Sequence, residues 1–447
     1  MGDKEMTKNP MMNLIALRRE GIPAGIPSYC TANEIVIEGV LEQAKRFGDS
    51  VLIEATSNQV NQFGGYTGMK PADYRDYVWR IADRIGFDRA KIILAGDHLG
   101  PQPFQGQPEA EAMANAEEMV RQYAAAGYTK IHLDTSMRVA DDDRKEPLSD
   151  YTVASRGARL MHVAEAAWEE LHRKDPSAVH PVYIIGSEVP IPGGAQEKEE
   201  MQVTDPDAFA ATVKAYKEVF AREGLSDKWQ YVIAVVVQPG VEFGDADVHM
   251  YDRSDAKALC KRLKDFPELM FEGHSTDYQS PTALRQMVED GVGILKVGPA
   301  LTFAAREALF ALCHIEAELI DEPEKRSHYI EVVEQVMTEN PKNWQKYYHG
   351  TPKEQALKRA YSYSDRSRYY MVDPRIEAAM AKLFSNLEGR DIPMGLLHQY
   401  MPLQYIGVRD GRLSLSPRAL VKDAVRIICE DYNYATRPHY MAASVLV

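Results

Sequence analysis

ILAGDHLGP, from Ile93 to Pro101, is the stretch on which the fold turns. Its apolar run ends in an acid and a histidine side by side, then breaks at glycine and proline. A short apolar run bounded by turn residues reads as a strand buried on both faces, as in a parallel sheet covered by helices. Seven similar runs flank it in sequence: IPSYCTAN from Ile26, VLIEATSN from Val51, KIHLDTSM from Lys130, VYIIGSEV from Val182, YVIAVVVQPG from Tyr231, LMFEGHS from Leu269 and ILKVGPAL from Ile294. Between them lie stretches of helical periodicity such as those beginning at Pro71 and Pro108, with proline near the start and glycine after the end. Eight strand-helix repeats predict an α/β fold of the (β/α)8 barrel type; an open doubly wound sheet requires no such count. After Phe303 the pattern becomes helical without further strands. We therefore expect a barrel over residues 1–303 carrying the site, and a mainly helical extension over 304–447 packed on it.

The chain has 447 residues and a formal charge of -14, with 52 basic against 66 acidic side chains. That balance argues against nucleic acid or an anionic membrane as a partner, since both need a broad basic field. The cysteines, Cys30, Cys260, Cys313 and Cys429, lie far apart without metal-type spacing and read as reduced core thiols. The polar start MGDKEMTKNP lacks the apolar segment of a secretory signal, so a cytoplasmic location is expected. No GxxxxGK[ST] loop, no GxGxxG after a strand and no GxSxG elbow occurs. A P-loop kinase and a Rossmann dehydrogenase are thereby disfavoured.

Barrels of this type carry their chemistry at the C-terminal ends of the strands. Polar groups end every run: Cys30, Thr31 and Asn33; Glu54 and Asn58; Asp97 and His98; Asp134 and Ser136; Glu188; Gln238 and Glu242; His274, Ser275 and Asp277; Lys296. A charge buried without a partner costs several kcal/mol, so their gathering at one end argues for a shared site. Two histidines with carboxylates and an amide suit a divalent metal, zinc first, with nickel, cobalt or manganese as alternatives. Each histidine alone could equally be a core residue bonded to a backbone carbonyl, and His132, deeper in its strand, is read that way. Lys296 precedes a glycine turn and a helical run, a setting suited to an anionic or hydroxylated substrate end; a Schiff-base role would make the metal redundant. The loop from Thr56 to Gly68, with Asn58 and Gln62, offers amides to a polyol. The segment SYSDRSRYY, Ser362 to Tyr370, could fold back over the barrel mouth.

Over nearly its whole length the chain resembles the accessory, non-catalytic subunit family of class II D-tagatose-bisphosphate aldolase. The resemblance rests on IEATSNQVNQFGGYTGM, ILAGDHLGP, KIHLDTSM, VVVQPGVEF, GHSTDY, ILKVGPALTFAAREALF and NLEGRDIPMG, in that order. The family also includes ketohexose and hexuronate 4-epimerases and members labelled tagatose-6-phosphate kinase. It is similar in turn to class II aldolases, whose barrel binds zinc through three histidines. That likeness implies metal ligation by His98 and His274, with Gln238 where the aldolases keep their middle histidine. It places Glu188 near the metal and Glu197 near a mobile proton-shuttling acid.

The resemblance implies two functions of different kinds. As a metal-dependent 4-epimerase of fructose or fructuronate, the protein would cleave C3–C4, rotate the aldehyde and rejoin the bond. Removing the C4 proton directly gives no stabilised anion, whereas the retro-aldol step leaves an enediolate that a metal stabilises. Asp97 would move the C4 hydroxyl proton, Asp134 and Glu188 would assist, and Asn58, Gln62, Ser136, Asp277 and Lys296 would bind the sugar. The alternative is a subunit that stabilises a partner aldolase and performs no chemistry. Expected partners are thus a small sugar or sugar acid, an aldolase subunit, or further copies of the chain.

Overall fold

The computed structural model describes residues 9–186 and 202–437. Among the described residues ten strands run in chain order: β1 Ile26–Cys30, β2 Val51–Thr56, β3 Ile92–Leu99, β4 Lys130–Leu133, β5 Val182–Ile185, β6 Val232–Val237, β7 Glu242–Phe243, β8 Val248–His249, β9 Met270–Gly273 and β10 Val292–Val297. Eight of them close into a parallel barrel in the order β1-β10-β9-β6-β5-β4-β3-β2, while β7 and β8 form a small antiparallel pair outside it. Each predicted run overlaps one barrel strand. The fold is the predicted (β/α)8 barrel.

Local chemistry sets the alternation. The helix Glu34–Phe47 starts where the Asn33 side chain accepts from the backbone N–H of Ile35 and Val36, and ends at Gly48 in the left-handed conformation. One apolar layer lies between strands and helices, containing Ile53, Leu133, Tyr183 and Val235. A second cluster fills the lower barrel: Leu52, Ile93, Ile184 and Ile294 pack with Met11 and Ile15 at the short helix Met12–Arg19, which plugs the floor. The interior is apolar below and polar above, which gathers the polar side chains at the upper mouth.

The boundary expected at residue 303 falls inside the helix Pro299–Leu319, which follows β10 and completes the barrel's outer ring. Beyond it every described element is helical. The helix Pro417–Thr436 packs against Glu34–Phe47, Pro281–Glu289 and Pro299–Leu319, binding the end of the chain to both sides of the barrel seam. No helix among the described residues is long and apolar enough to cross a membrane.

Candidate functional site

Alternation along a strand ought to send Asp97 and His98 to opposite faces. Both reach the mouth because the pairing of β3 with β4 shifts register between Gly96 and Leu99, and His98 sits at φ +50°. Ser275, just after β9, is also left-handed at φ +55°. Each such non-glycine residue costs about 1–3 kcal/mol of backbone strain, concentrated here beside the polar cluster. Gly100 allows the close approach that follows: a Cβ there would lie 1.6 Å from the Asp134 carbonyl oxygen.

Three imidazoles meet at the mouth. The ring centroids of His98 and His132 lie 5.4 Å apart, those of His98 and His274 5.2 Å, and those of His132 and His274 5.5 Å. Each is held by a buried carboxylate: His132 Nδ1 to Asp97 Oδ1 at 2.7 Å, His98 Nδ1 to Asp134 Oδ2 at 2.7 Å, and His274 Nε2 to Glu272 Oε1 at 2.9 Å. Ionised carboxylates only accept, so this bonding assigns a proton to His132 Nδ1 and His274 Nε2 and leaves a lone pair on the other nitrogen of each, whereas His98 faces carboxylates from both nitrogens, its Nε2 lying 3.3 Å from Asp97 Oδ2. Burial lowers His132 and His274 to about 4, which keeps both neutral at pH 7. His132 Nε2 is fully buried and bonded to no described residue.

Beneath the histidines runs an ionic layer. Lys130 Nζ bridges Glu54 Oε2 at 2.5 Å and Glu272 Oε2 at 2.8 Å, all three side chains being inaccessible to solvent. Lys296 bonds Asp97 and lies 3.2 Å from Glu54 Oε1. Burial opposes the Glu54 charge, but Lys130 and Lys296 prevail and hold it down at about 2. Asp134 and Glu272 are likewise held below the usual carboxylate range, against burial, by His98 and by Lys130 respectively.

The structure redistributes the predicted residues. Gln238 is a correction: its Oε1 accepts from the backbone N–H of Gly240 and Val241, both at 2.9 Å, so it caps its own turn and stands outside the histidine cluster. His132, read as structural, supplies the third imidazole instead. Lys296 lines the mouth cavity as expected, with its ammonium paired to Asp97 and Glu54. Asp277 Oδ1 accepts from Gly298 N at 3.0 Å and Ala300 N at 2.8 Å, filling the start of the helix Pro299–Leu319 that was expected to receive a substrate anion. Ser136 donates to Asp134 Oδ1 at 2.7 Å. Asn58 lines the cavity, whereas Gln62 turns away and donates to the Asn115 carbonyl at 2.9 Å. Glu188 and Glu197 lie outside the described residues.

The segment Ser362–Tyr370 does return over the mouth. Arg368 and Tyr369 join Tyr66, Asn58, His98 and His274 around a cavity of about 90 Å³. Arg368 donates to the Tyr369 hydroxyl at 2.9 Å and to the Asp365 carbonyl at 2.9 Å, and the Tyr66 and Tyr369 rings meet edge to face at 4.9 Å.

One group of buried residues suits a cation. Ligand atoms of Asp97, His132, Glu272 and His274 all lie within 4.8 Å of one another. Two imidazoles and two carboxylates are a donor set for a divalent ion, and the orphaned His132 nitrogen is the atom such an ion would satisfy.

Residues 11–437 match the profile of "D-tagatose-1,6-bisphosphate aldolase subunit GatZ/KbaZ-like". The chain belongs to this family. It is also similar to the crystal structure of a "probable tagatose 6 phosphate kinase" from Sinorhizobium meliloti 1021, with 47% identity, a TM-score of 0.84, and 92% of this chain and 100% of that one covered. Two looser likenesses are the fructose-bisphosphate aldolase of Campylobacter jejuni, at 14% identity and TM-score 0.45 over 96% of this chain and 95% of that one, and the YdjI aldolase of Escherichia coli K12. The latter has 12% identity and TM-score 0.38 over 82% of this chain and 94% of that one. These two are too distant to bear on function. Membership of the GatZ/KbaZ-like family, which supplies the non-catalytic subunit of an aldolase, overturns the epimerase expectation in favour of its alternative.

Proposed function

We propose that this protein is the non-catalytic subunit that stabilises a class II tagatose-1,6-bisphosphate aldolase. The observation that carries the reading is the occupied helix start: the Asp277 carboxylate bonds the N–H groups of Gly298 and Ala300, where a barrel enzyme would seat a phosphate. A phosphorylated sugar would meet a fixed negative charge there. The Lys296 ammonium, though it lines the cavity, is already paired with Asp97 and Glu54, so its charge is largely neutralised there. The cavity, at about 90 Å³, falls well short of the roughly 300–1,000 Å³ usual for small-molecule sites.

A divalent ion, zinc in this reading, would be held by His132 and His274 with Asp97 and Glu272. When bound, it would supply a Lewis acid and a double positive charge. Around it the chain's own residues orient the ligands: the Asp97 and Glu272 carboxylates fix the His132 and His274 rings, and Lys130 fixes Glu272. Two lysines facing four buried carboxylates, Glu54, Asp97, Asp134 and Glu272, favour an added cation.

The test is to co-express this chain with a class II tagatose-bisphosphate aldolase subunit, then follow co-migration by size exclusion and the partner's loss of activity on warming. Slower inactivation with a co-migrating complex is the expected result. An aldolase that neither co-migrates nor survives longer with this chain than without it would reject the proposal.

A further inference from the structure

Lysine and arginine each contribute one side chain to the wall of the mouth cavity, Lys296 and Arg368. The Lys296 ammonium is paired with Asp97 and Glu54, so its charge is met within the chain. Arg368 is met only by neutral acceptors: Nη1 donates to the backbone carbonyls of Ser364 and Asp365, the latter at 2.9 Å, and Nη2 to the Tyr369 hydroxyl at 2.9 Å. The carboxylate nearest to it in sequence is engaged elsewhere, since Asp365 accepts from Thr302 at 2.5 Å, Ser367 at 2.7 Å and Arg306 at 3.3 Å. A partly buried guanidinium without a counter-ion among the described residues carries a desolvation cost that an anion in the cavity would offset.

The bonds made by Arg368 also define which donors are left. Nη1 is used twice and Nη2 once, so the Nε–H and one Nη2–H bond no described residue. Those are donors with which arginine grips both oxygens of a carboxylate. Asn58 lines the same cavity with an amide that bonds no described residue, and the Tyr369 hydroxyl, which accepts from Arg368, keeps its own proton to donate. The receptor is held in place beforehand: Asp365 ties the segment Ser362–Tyr370 to Thr302 and Arg306 of the helix Pro299–Leu319, and Tyr278 donates to the Tyr363 carbonyl at 2.5 Å. Asp97 and Asp277 also line the cavity, so a doubly charged phosphate would be repelled where a single carboxylate is tolerated. At about 90 Å³ the space admits a small acid of about two or three carbons.

We propose that the barrel mouth is a receptor site for a small monocarboxylate, gripped by the unused edge of Arg368 and bonded by the Asn58 amide and the Tyr369 hydroxyl. The ligand supplies the counter-ion that Arg368 lacks. This inference goes beyond the accessory-subunit reading and does not depend on it, because it concerns a ligand of the chain alone.

The experiment is calorimetric titration of the full chain, treated with a chelator and held at constant ionic strength, with glycolate, with its neutral counterpart glycolamide and with inorganic phosphate. Glycolate should bind at one site per chain, with glycolamide and phosphate each at least about ten-fold weaker. Arg368→Lys keeps the charge but removes the two-pronged grip, and should weaken glycolate by about ten-fold. Asn58→Ala should weaken it several-fold. Absence of glycolate binding would overturn the proposal, as would glycolamide binding equally well or Arg368→Lys binding glycolate like the unaltered chain. Binding that appears only without the chelator would assign the anion to a bound cation and likewise overturn it. If Arg368→Lys fails to fold, glycolamide and Asn58→Ala decide, and unchanged affinity in both would reject the site.

Discussion

Replacing Lys130 by methionine tests the ionic layer most directly. Methionine keeps an unbranched stem but removes the ammonium that bridges Glu54 at 2.5 Å and Glu272 at 2.8 Å. Breaking a buried ion pair from one side typically costs about 3–5 kcal/mol, because the partner charge is left behind. At about 2.1 cal/mol/K of unfolding entropy per residue, a chain of 447 residues loses about 1 °C of Tm per kcal/mol, so K130M should melt about 3–5 °C lower at neutral pH. The pH dependence separates this cause from a packing defect. In the unaltered protein Glu54 is held at about 2, below its ordinary value of 4.5. Its contribution to stability is therefore present above about pH 4.5 and is lost only as the pH falls towards 2. In K130M burial acts on Glu54 and Glu272 with less opposition, so both carboxyls shift upwards, and stability is lost as the pH rises through their new values. The gap between the two proteins should be widest near pH 7 and shrink towards pH 4 in thermal melts. A K130M Tm within about 1 °C of the unaltered protein at pH 7, or a gap that does not change with pH, would refute the reasoning.

Other perturbations address the cation, the filled helix start and the close backbone approach. Zinc at about 100 times its dissociation constant should stabilise the unaltered protein by about 2.7 kcal/mol, and His132→Ala should abolish that gain in calorimetric melts; equal stabilisation of both would remove His132 from the ligand set. Asp277→Asn should let phosphate raise the Tm of the variant but not of the unaltered protein, and identical phosphate responses would show that the carboxylate does not block the seat. Burial raises Asp277 from 3.8 to about 6, so its stabilising influence is full below about pH 4 and fades as the pH rises through 6. The Asn variant should lack that slope in Tm-against-pH curves. Gly100→Ala should yield little soluble protein, since its methyl group would overlap the Asp134 carbonyl; near-normal yield and Tm would show that the backbone gives way there.

The barrel strands were legible because each is short, apolar and closed by turn residues, a pattern that survives any error of a residue or two at the ends. The histidine cluster was only half legible, and the cause lies in strand parity. In KIHLD, residues 130–134, the positions Lys130, His132 and Asp134 alternate with Ile131 and Leu133. Period-two alternation puts the three polar groups on one face, which in a barrel strand is the interior. Reading His132 by its depth rather than by this parity set it aside. Glu272 and His274 carry the same signature two residues apart. The bulge at His98 breaks the rule, so nothing in the sequence announced that Asp97 and His98 share a face. Gln238 was misplaced because QPG is also a turn, and the turn claims the amide.

Parity also changes what the polar mouth means. Polar residues ending eight separate strands look costly if each stands alone, and that cost argued for an active site. In the folded chain they stand in mutually bonded sets: Lys130 with Glu54 and Glu272, Glu272 with His274, Asp97 with His132 and Lys296, Asp134 with His98. The desolvation of each is offset by its neighbours. Removing any single member leaves a buried charge or a buried donor without its partner, at a cost of several kcal/mol, whereas exchanging a whole set for apolar residues could be neutral. Single substitutions therefore meet a barrier that only concerted replacement avoids. An interior of such bonded sets stabilises the fold whether or not the mouth performs chemistry, so its histidines, acids and lysines do not by themselves imply catalysis.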